Sequence, residues 1–166
     1  MSGLKAGDAF PEGVSFQYVP PTGELDLTAC GLAVPYKASE EAKNKKIVFV
    51  SVPGAFTPTC QEQHLVSYLK NRDALKAKGV DQVVFLAFND QFVMAAWGKA
   101  NGVSDDSILF VSDPGAAFSK SIGWTSGERT ARYAIIVDNG KVVYAERDTV
   151  PKSIENTGAE AILARL

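Results

Sequence analysis

Two largely apolar runs constrain this chain more than anything else in it. Residues 46–52, Lys46-Ile47-Val48-Phe49-Val50-Ser51-Val52, and residues 82–88, Gln82-Val83-Val84-Phe85-Leu86-Ala87-Phe88, are rich in β-branched and aromatic side chains and lack polar alternation. Short runs of this kind, ended by turn residues such as Pro53-Gly54, read as buried strands. Between them, from Pro58 to Gly79, the pattern is helical. Leu65, Tyr68, Leu69 and Leu75 stand among Lys, Asn, Gln and Glu, and Gly79 is a natural stop. A helix linking two strands makes a crossover, so these strands are expected to run parallel.

The remaining punctuation extends that layout. Asn89-Asp90 caps a helical pattern over 91–101, a short strand is expected over 108–111, and a short helix over 115–122. A strand over 132–137 meets the hairpin signal Asn139-Gly140 and returns over 141–146, and a last helix is expected from about residue 154. In the first 30 residues, alternating runs at 14–19 and 24–28 are split by Pro20-Pro21-Thr22-Gly23, which reads as a hairpin or two edge strands. Residues 38–45 read as one charged helical turn. No repeat, low-complexity tract or linker divides residues 1–166, so one domain is expected. The order fits an α/β, thioredoxin-like fold: a central mixed sheet flanked by helices, with an N-terminal strand extension.

Composition removes several function classes. The 166 residues are 46% apolar and 22% charged, and 17 basic against 19 acidic side chains leave a net charge of −2. A chain this long buries roughly 70% of its unfolded surface and needs no staple. No basic run interleaves with aromatics, so nucleic acid is not an expected partner. No apolar stretch approaches the roughly 20 residues of a membrane span. The N-terminal residues 1–8 lack a secretory apolar core, so cytoplasm is the expected address. Cys30, Cys60 and the single histidine, His64, are too few and too scattered for a zinc site. Carboxylates remain as conceivable magnesium or calcium ligands, but no metal or other cofactor is expected.

The chemistry concentrates in Pro53-Gly54-Ala55-Phe56-Thr57-Pro58-Thr59-Cys60, which leaves a buried strand and opens a helix. Thr57 before Pro58 reads as an N-cap, because proline favours the first helical position. Cys60 then falls third, where backbone N–H groups and the helix dipole favour an anion. A free thiol with a pKa of about 8.5 falls to roughly 3.5–7.5 in such settings. A Thr57 hydroxyl within reach is expected to donate to the sulfur. The bland alternative, a buried cysteine acting as a small hydrophobe, weighs less once the flanking pattern is counted.

Pro-x-x-x-Thr-x-x-Cys, met by Pro53, Thr57 and Cys60, resembles the active-site signature of peroxiredoxins. The longer string Pro-Gly-Ala-Phe-Thr-Pro-x-Cys resembles the type II, or five-type, subfamily. Gln63-His64-Leu65, Ala77-Lys78-Gly79-Val80, Phe88-Asn89-Asp90, Ala96-Trp97-Gly98, Ser112-Asp113-Pro114 and Arg132-Tyr133-Ala134 extend the likeness along nearly the whole chain. The resemblance implies a thioredoxin fold and reduction of hydroperoxides, hydrogen peroxide and alkyl hydroperoxides alike, by a thiol. It implies Cys60 as the peroxidatic cysteine, Thr57 positioning the peroxide, Pro53 shielding the pocket and Arg132 as the active-site arginine. Arg129 is a nearby rival for that last role. A guanidinium suits the chemistry, because thiolate attack on an O–O bond builds charge on the departing oxygen.

The resemblance also implies a resolving partner for Cys60. Cys30 in Thr28-Ala29-Cys30-Gly31-Leu32 is the only other cysteine, next to a glycine expected to loosen the backbone. A Cys30–Cys60 disulfide is expected, between subunits ahead of within one, with an inert Cys30 as the alternative. Thioredoxin is the implied reductant, with glutaredoxin or glutathione as the other options. A homodimer is implied through stretches 53–58, 89–97 and 113–124, carrying Phe56, Phe92 and Trp124. Phe56, Phe88 and Phe92 could line the pocket mouth, although core packing is the default for them and for Trp97. His64, one turn after Cys60 and matching a histidine of the family pattern, is expected to be a packed, satisfied side chain, with support of the helix or tuning of the site as the alternative. Ala164-Arg165-Leu166 resembles a peroxisomal tripeptide, against the plainer reading of a helix end packing on the sheet.

Three rival functions compete with that reading. A dithiol oxidoreductase needs Cys-x-x-Cys, and Gln63 occupies the second position. A cysteine hydrolase needs His64 as base, one turn down the same helix and poorly aimed at the sulfur. A non-enzymatic thioredoxin-like redox-sensing or holdase module would keep its function without Cys60.

Overall fold

A computed structural model describes residues 3–166. The strands are β1 (Phe16–Tyr18), β2 (Val34–Tyr36), β3 (Lys46–Ser51), β4 (Gln82–Ala87), β5 (Leu109–Ser112), β6 (Thr125–Ser126), β7 (Arg129–Thr130), β8 (Tyr133–Asp138) and β9 (Lys141–Arg147). β6 and β7 pair as a separate antiparallel ribbon, and the other seven form one mixed sheet in the order β2-β1-β5-β4-β3-β8-β9. Its centre is β3 (Lys46–Ser51) and β4 (Gln82–Ala87), paired in parallel, with β5 (Leu109–Ser112) parallel on the far side of β4. β8 (Tyr133–Asp138) and β9 (Lys141–Arg147) close the other flank antiparallel. Asn139 and Gly140 turn that hairpin at φ 50° and 85°, the left-handed pair a tight β-turn demands. β1 (Phe16–Tyr18) and β2 (Val34–Tyr36) form the N-terminal extension, β1 pairing antiparallel with β5.

The apolar runs of β3 and β4 are buried on both faces, because helices cover both sides. One face of the sheet, with Val48, Val50, Phe85 and Ile136, packs with Leu65, Tyr68, Met94 and Trp97. The opposite face, with Phe49, Leu86, Ile135 and Val137, packs with Phe10, Phe16, Phe118 and Trp124. The helix over Gln91–Ala100 approaches β5 closely: a Cβ at Gly98 would stand 2.7 Å from the Phe110 ring.

Several expectations need correction. Residues 24–28 are no strand; Glu24 and Asp26 accept from following backbone N–H groups, and β2 lies further on. The helix expected from Pro58 to Gly79 is three pieces: a π-helical segment Cys60–Leu65, then Val66–Lys70, then Arg72–Ala77 after a break at Asn71. The last helix is Ala159–Leu163, because the Asp148 carboxylate captures Asn156 N and Thr157 Oγ1 and turns the preceding segment. Trp124 is 9% exposed, tilted against Tyr133 with ring centroids 5.2 Å apart, and presents no apolar edge. Among the described residues, no helix is long and apolar enough to cross a membrane.

Candidate active site

The site is assembled where β3 ends. Two wholly buried hydroxyls staple that end to the segment before β8: Ser51 Oγ donates to Ala131 O at 2.7 Å, and Thr130 Oγ1 donates to Val52 O at 2.7 Å. They set Arg132 beside the helix that follows β3. On the other side, Ala55 N donates to Asn89 Oδ1 at 2.8 Å, tying the loop to the end of β4. Phe56 sits at φ 63°, a left-handed conformation that strains a bulky residue and suits a functional turn. Pro53 is half-buried at the exit from β3, and Asp90 rather than Asn89 caps the following helix.

Helical backbone begins at Pro58, and Gln61 N closes the first turn on Thr57 O at 2.8 Å. The Thr57 hydroxyl does not bond the sulfur, contrary to expectation. It donates to Gly54 O at 2.6 Å, a carbonyl left without a strand partner past the end of β3. With its proton committed there, Thr57 Oγ1 has only lone pairs to offer, so it can accept from an incoming O–H. Gln61, the residue after Cys60, is held by Trp97 Nε1 at 2.7 Å and by Asn101 at 2.6 and 3.0 Å. The π-helical segment carrying Cys60 is a feature often found at functional sites, and no sequence signal marked it.

Cys60 is 1% exposed, and its sulfur accepts from Arg132 Nη2 at 3.4 Å. Arg132 Nη1 faces His64 Nδ1 at 2.8 Å, and His64 Nε2 faces Thr157 O at 3.0 Å. Burial first, and the neighbouring guanidinium second, push the His64 imidazole down from 6.5 to about 3. His64 is therefore packed and satisfied as expected, and both its nitrogens are engaged away from the sulfur, which removes the hydrolase geometry. Its contact with Arg132, 68 residues away in the chain, has no local sequence signal. Arg129, the rival arginine, stacks over Phe88 with its guanidinium 5.6 Å from the ring centre.

Cys30 occupies a different setting. It is exposed on the long loop between β1 and β2, with its thiol 3.7 Å from Thr28 O. Lys99 Nζ holds that loop by Ala29 O at 2.7 Å and Asp26 O at 3.2 Å, and Ser104 Oγ holds Glu24 O at 2.8 Å. A cavity of about 260 Å³ lies under the loop, lined by Val19, Pro20, Cys30, Lys99 and Phe110. Gly31 does more than loosen the chain: a Cβ there would stand 2.7 Å from Val19 Cγ1, so the glycine permits a close approach. Both thiols are free. Leu25, Leu27 and Leu32 on the same loop are exposed, as are Phe56 on the segment leading to Cys60 and Phe92 in the first turn after Asp90.

A thioredoxin-like sheet that presents one buried cysteine to a guanidinium defines a protein of thiol redox chemistry. The chain belongs to the Redoxin family, whose model matches residues 5–163. Within that family it is a peroxiredoxin, a thiol-dependent peroxidase. It is 56% identical over 166 residues to peroxiredoxin AHP1 of Chaetomium thermophilum, covering all of this chain and 96% of that one. It is 47% identical to a Lipomyces kononenkoae relative named as a peroxisomal peroxiredoxin, covering 96% of this chain and 99% of the other. Reduced Prx3 from Vibrio vulnificus, solved in complex with hydrogen peroxide, superposes with a TM-score of 0.81 at 39% identity, covering 97% of this chain and 94% of that one.

Proposed function

We propose that this chain, working as one domain over residues 1–166, reduces hydrogen peroxide and alkyl hydroperoxides through Cys60. The observation that carries the reading is the Arg132 guanidinium 3.4 Å from the Cys60 sulfur. Thr57 Oγ1, just before the helix that carries Cys60, is free only to accept. The peroxide O–H donates to Thr57 Oγ1, and the Cys60 thiolate attacks the oxygen nearest to it. An S–O bond forms and the O–O bond breaks. The departing alkoxide or hydroxide, stabilised by Arg132, takes up a proton and leaves as alcohol or water. Pro53 and the buried walls keep bulk water from the sulfur.

The Cys60 sulfenic acid is then resolved by Cys30: an S–S bond forms, the S–O bond breaks and water leaves. The bridge joins two subunits of a homodimer, and thioredoxin, or glutaredoxin in its place, returns both sulfurs to thiols. A disulfide needs Cα atoms within about 7 Å, so the exposed Cys30 loop, the Cys60 helix, or both, move. The protein works in the cytoplasm. Ala164-Arg165-Leu166 would act as a peroxisomal address only when released, since Leu166 packs on the core and the Arg165 guanidinium lies 5.3 Å from the Tyr144 ring centre.

Peroxide-dependent NADPH consumption tests the reading, with thioredoxin and its reductase in one arm and a glutaredoxin system in the other. Turnover in at least one arm, abolished by Cys60→Ser, is expected. Turnover that survives Cys60→Ser overturns it. A cross-linked dimer on a non-reducing gel after one equivalent of peroxide, absent in Cys30→Ser and in Cys60→Ser, tests the bridge.

A further inference from the structure

His64 has no part in the steps above, yet it is wholly buried between the active-site arginine and the loop after β9. Its two contacts fix its chemical state without ambiguity. Thr157 O can only accept, so Nε2 carries the proton. Arg132 can only donate, so Nδ1 must be bare. A protonated ring would set N–H against N–H and cation against cation. The carbonyl that selects this tautomer is itself pinned: Tyr68 Oη donates to it at 2.7 Å, and Thr157 Oγ1 donates to the Asp148 carboxylate at 2.6 Å. Asp148 also holds Asn156 N at 3.1 Å, and its own N–H donates to Arg132 O at 3.1 Å. The β9 loop thus reaches Arg132 twice, once through its backbone and once through the imidazole.

The chemistry of this support matters as much as its geometry. A carboxylate would hold a guanidinium more strongly, but it would also neutralise the field that a thiolate and a departing oxygen require. Among the described residues Arg132 makes no ion pair. A neutral lone pair orients one arm of the fork and leaves the charge intact for the other.

We propose that His64 is a positioning residue for peroxide reduction, its bare Nδ1 holding one arm of Arg132 so that the other arm faces the Cys60 sulfur at full charge. This rests on the reading that Cys60 and Arg132 carry the reaction. A residue that acts only through Arg132 loses its effect when Arg132 is gone, and a residue that merely supports the fold does not.

The test is a double-mutant cycle on the whole chain, reading single-turnover oxidation of Cys60 by hydrogen peroxide in the absence of any reductant. His64→Leu is expected to slow that step roughly ten- to hundredfold in the parent chain and to change it less than about twofold in Arg132→Met. His64→Asn, whose amide oxygen can take the place of Nδ1, should recover part of the rate. The same slowing by His64→Leu in both backgrounds, or none in the parent, overturns the proposal. If His64→Leu fails to fold, nitrogen NMR of the unmodified protein decides: a neutral imidazole protonated on Nε2 across roughly pH 5–8 is expected, and the other tautomer or a titrating ring overturns it. A parent chain whose Cys60 ignores peroxide overturns the proposed function instead.

Discussion

The two cysteines differ in almost every physical respect. Cys60 is 1% exposed, on a helix whose surroundings are cross-tied from β3, β4 and β8 by buried or half-buried hydrogen bonds. Cys30 is exposed, on a loop in which Leu32 is 86% exposed, held mainly by two side chains from neighbouring elements, Lys99 and Ser104. A nucleophile that needs its partners placed in advance belongs on the rigid part of a fold. A thiol that must travel to meet it belongs on a weakly held part, where opening is cheap. On the proposed reading, in which Cys30 resolves Cys60, the protein divides preorganisation and exposure between two regions rather than compromising at one.

The largest expected effects test the rigid side. Cys60→Ser abolishes peroxide reduction, while Cys30→Ser leaves one round of peroxide attack intact; rapid-mixing assays without reductant separate the two. Loss of the first round in Cys30→Ser would break the division of roles. Arg132→Met should slow that round by about 10²–10³, the scale for removing a preorganised donor from a developing anion. Arg129→Met, altering a guanidinium that lies over Phe88 rather than at the sulfur, should change it far less.

How much of this was legible beforehand follows from how local each interaction is. The runs at β3 and β4 and the Asn139-Gly140 turn declare themselves within a few residues, and the structure keeps them. The alternation Glu24-Leu25-Asp26-Leu27 reads as a strand, but no face receives its leucines, both of which stay exposed, and the carboxylates bond the local backbone instead. β2 hides behind Pro35, which removes a ladder donor and lowers any strand reading. The split from one expected helix into a π-helical segment and two short helices depends on which carbonyl each N–H finds, a choice that residue type does not record. Cys60, Thr57 and Arg132 come through motif resemblance. The Arg132–His64 and His64–Thr157 contacts span 68 and 93 residues, beyond any local signal.

A smaller effect sharpens the contrast through acid stability. His64 is held neutral in the fold at a pKa of about 3 against 6.5 when free, by burial and then by Arg132. Between those values the unfolded chain binds a proton that the native chain refuses. Its contribution is therefore complete above about pH 6.5 and is lost as pH falls towards 3, at up to about 1.4 kcal/mol per pH unit. Denaturant titrations at stepped pH should show that slope in the parent and in Cys30→Ser, and a flatter one in His64→Leu. Equal slopes in all three would detach acid sensitivity from the rigid site.

The smallest effect lies on the exposed Cys30 loop. The Lys99 ammonium bridges the Ala29 and Asp26 carbonyls and so holds the Cys30 loop against the helix Gln91–Ala100, over the cavity of about 260 Å³. A charge-assisted bond is worth roughly 1.5–3 kcal/mol when buried, but this amine is partly exposed and screening reduces its worth. If the loop must leave this position to bring Cys30 to the Cys60 sulfenic acid, breaking those bonds is part of the barrier to resolution. Lys99→Met keeps the aliphatic stem over the cavity and removes the donor. It should speed disulfide formation by a few fold, leave the first oxidation of Cys60 unchanged, and raise the peroxide dose needed to over-oxidise Cys60 to sulfinic acid, because resolution and over-oxidation compete for one intermediate. Stopped-flow fluorescence for the two steps and mass spectrometry for the sulfinic product would read all three. Slower resolution in Lys99→Met would mean that the lysine presents Cys30 rather than restrains it, and the loop would then belong with the preorganised half of the molecule.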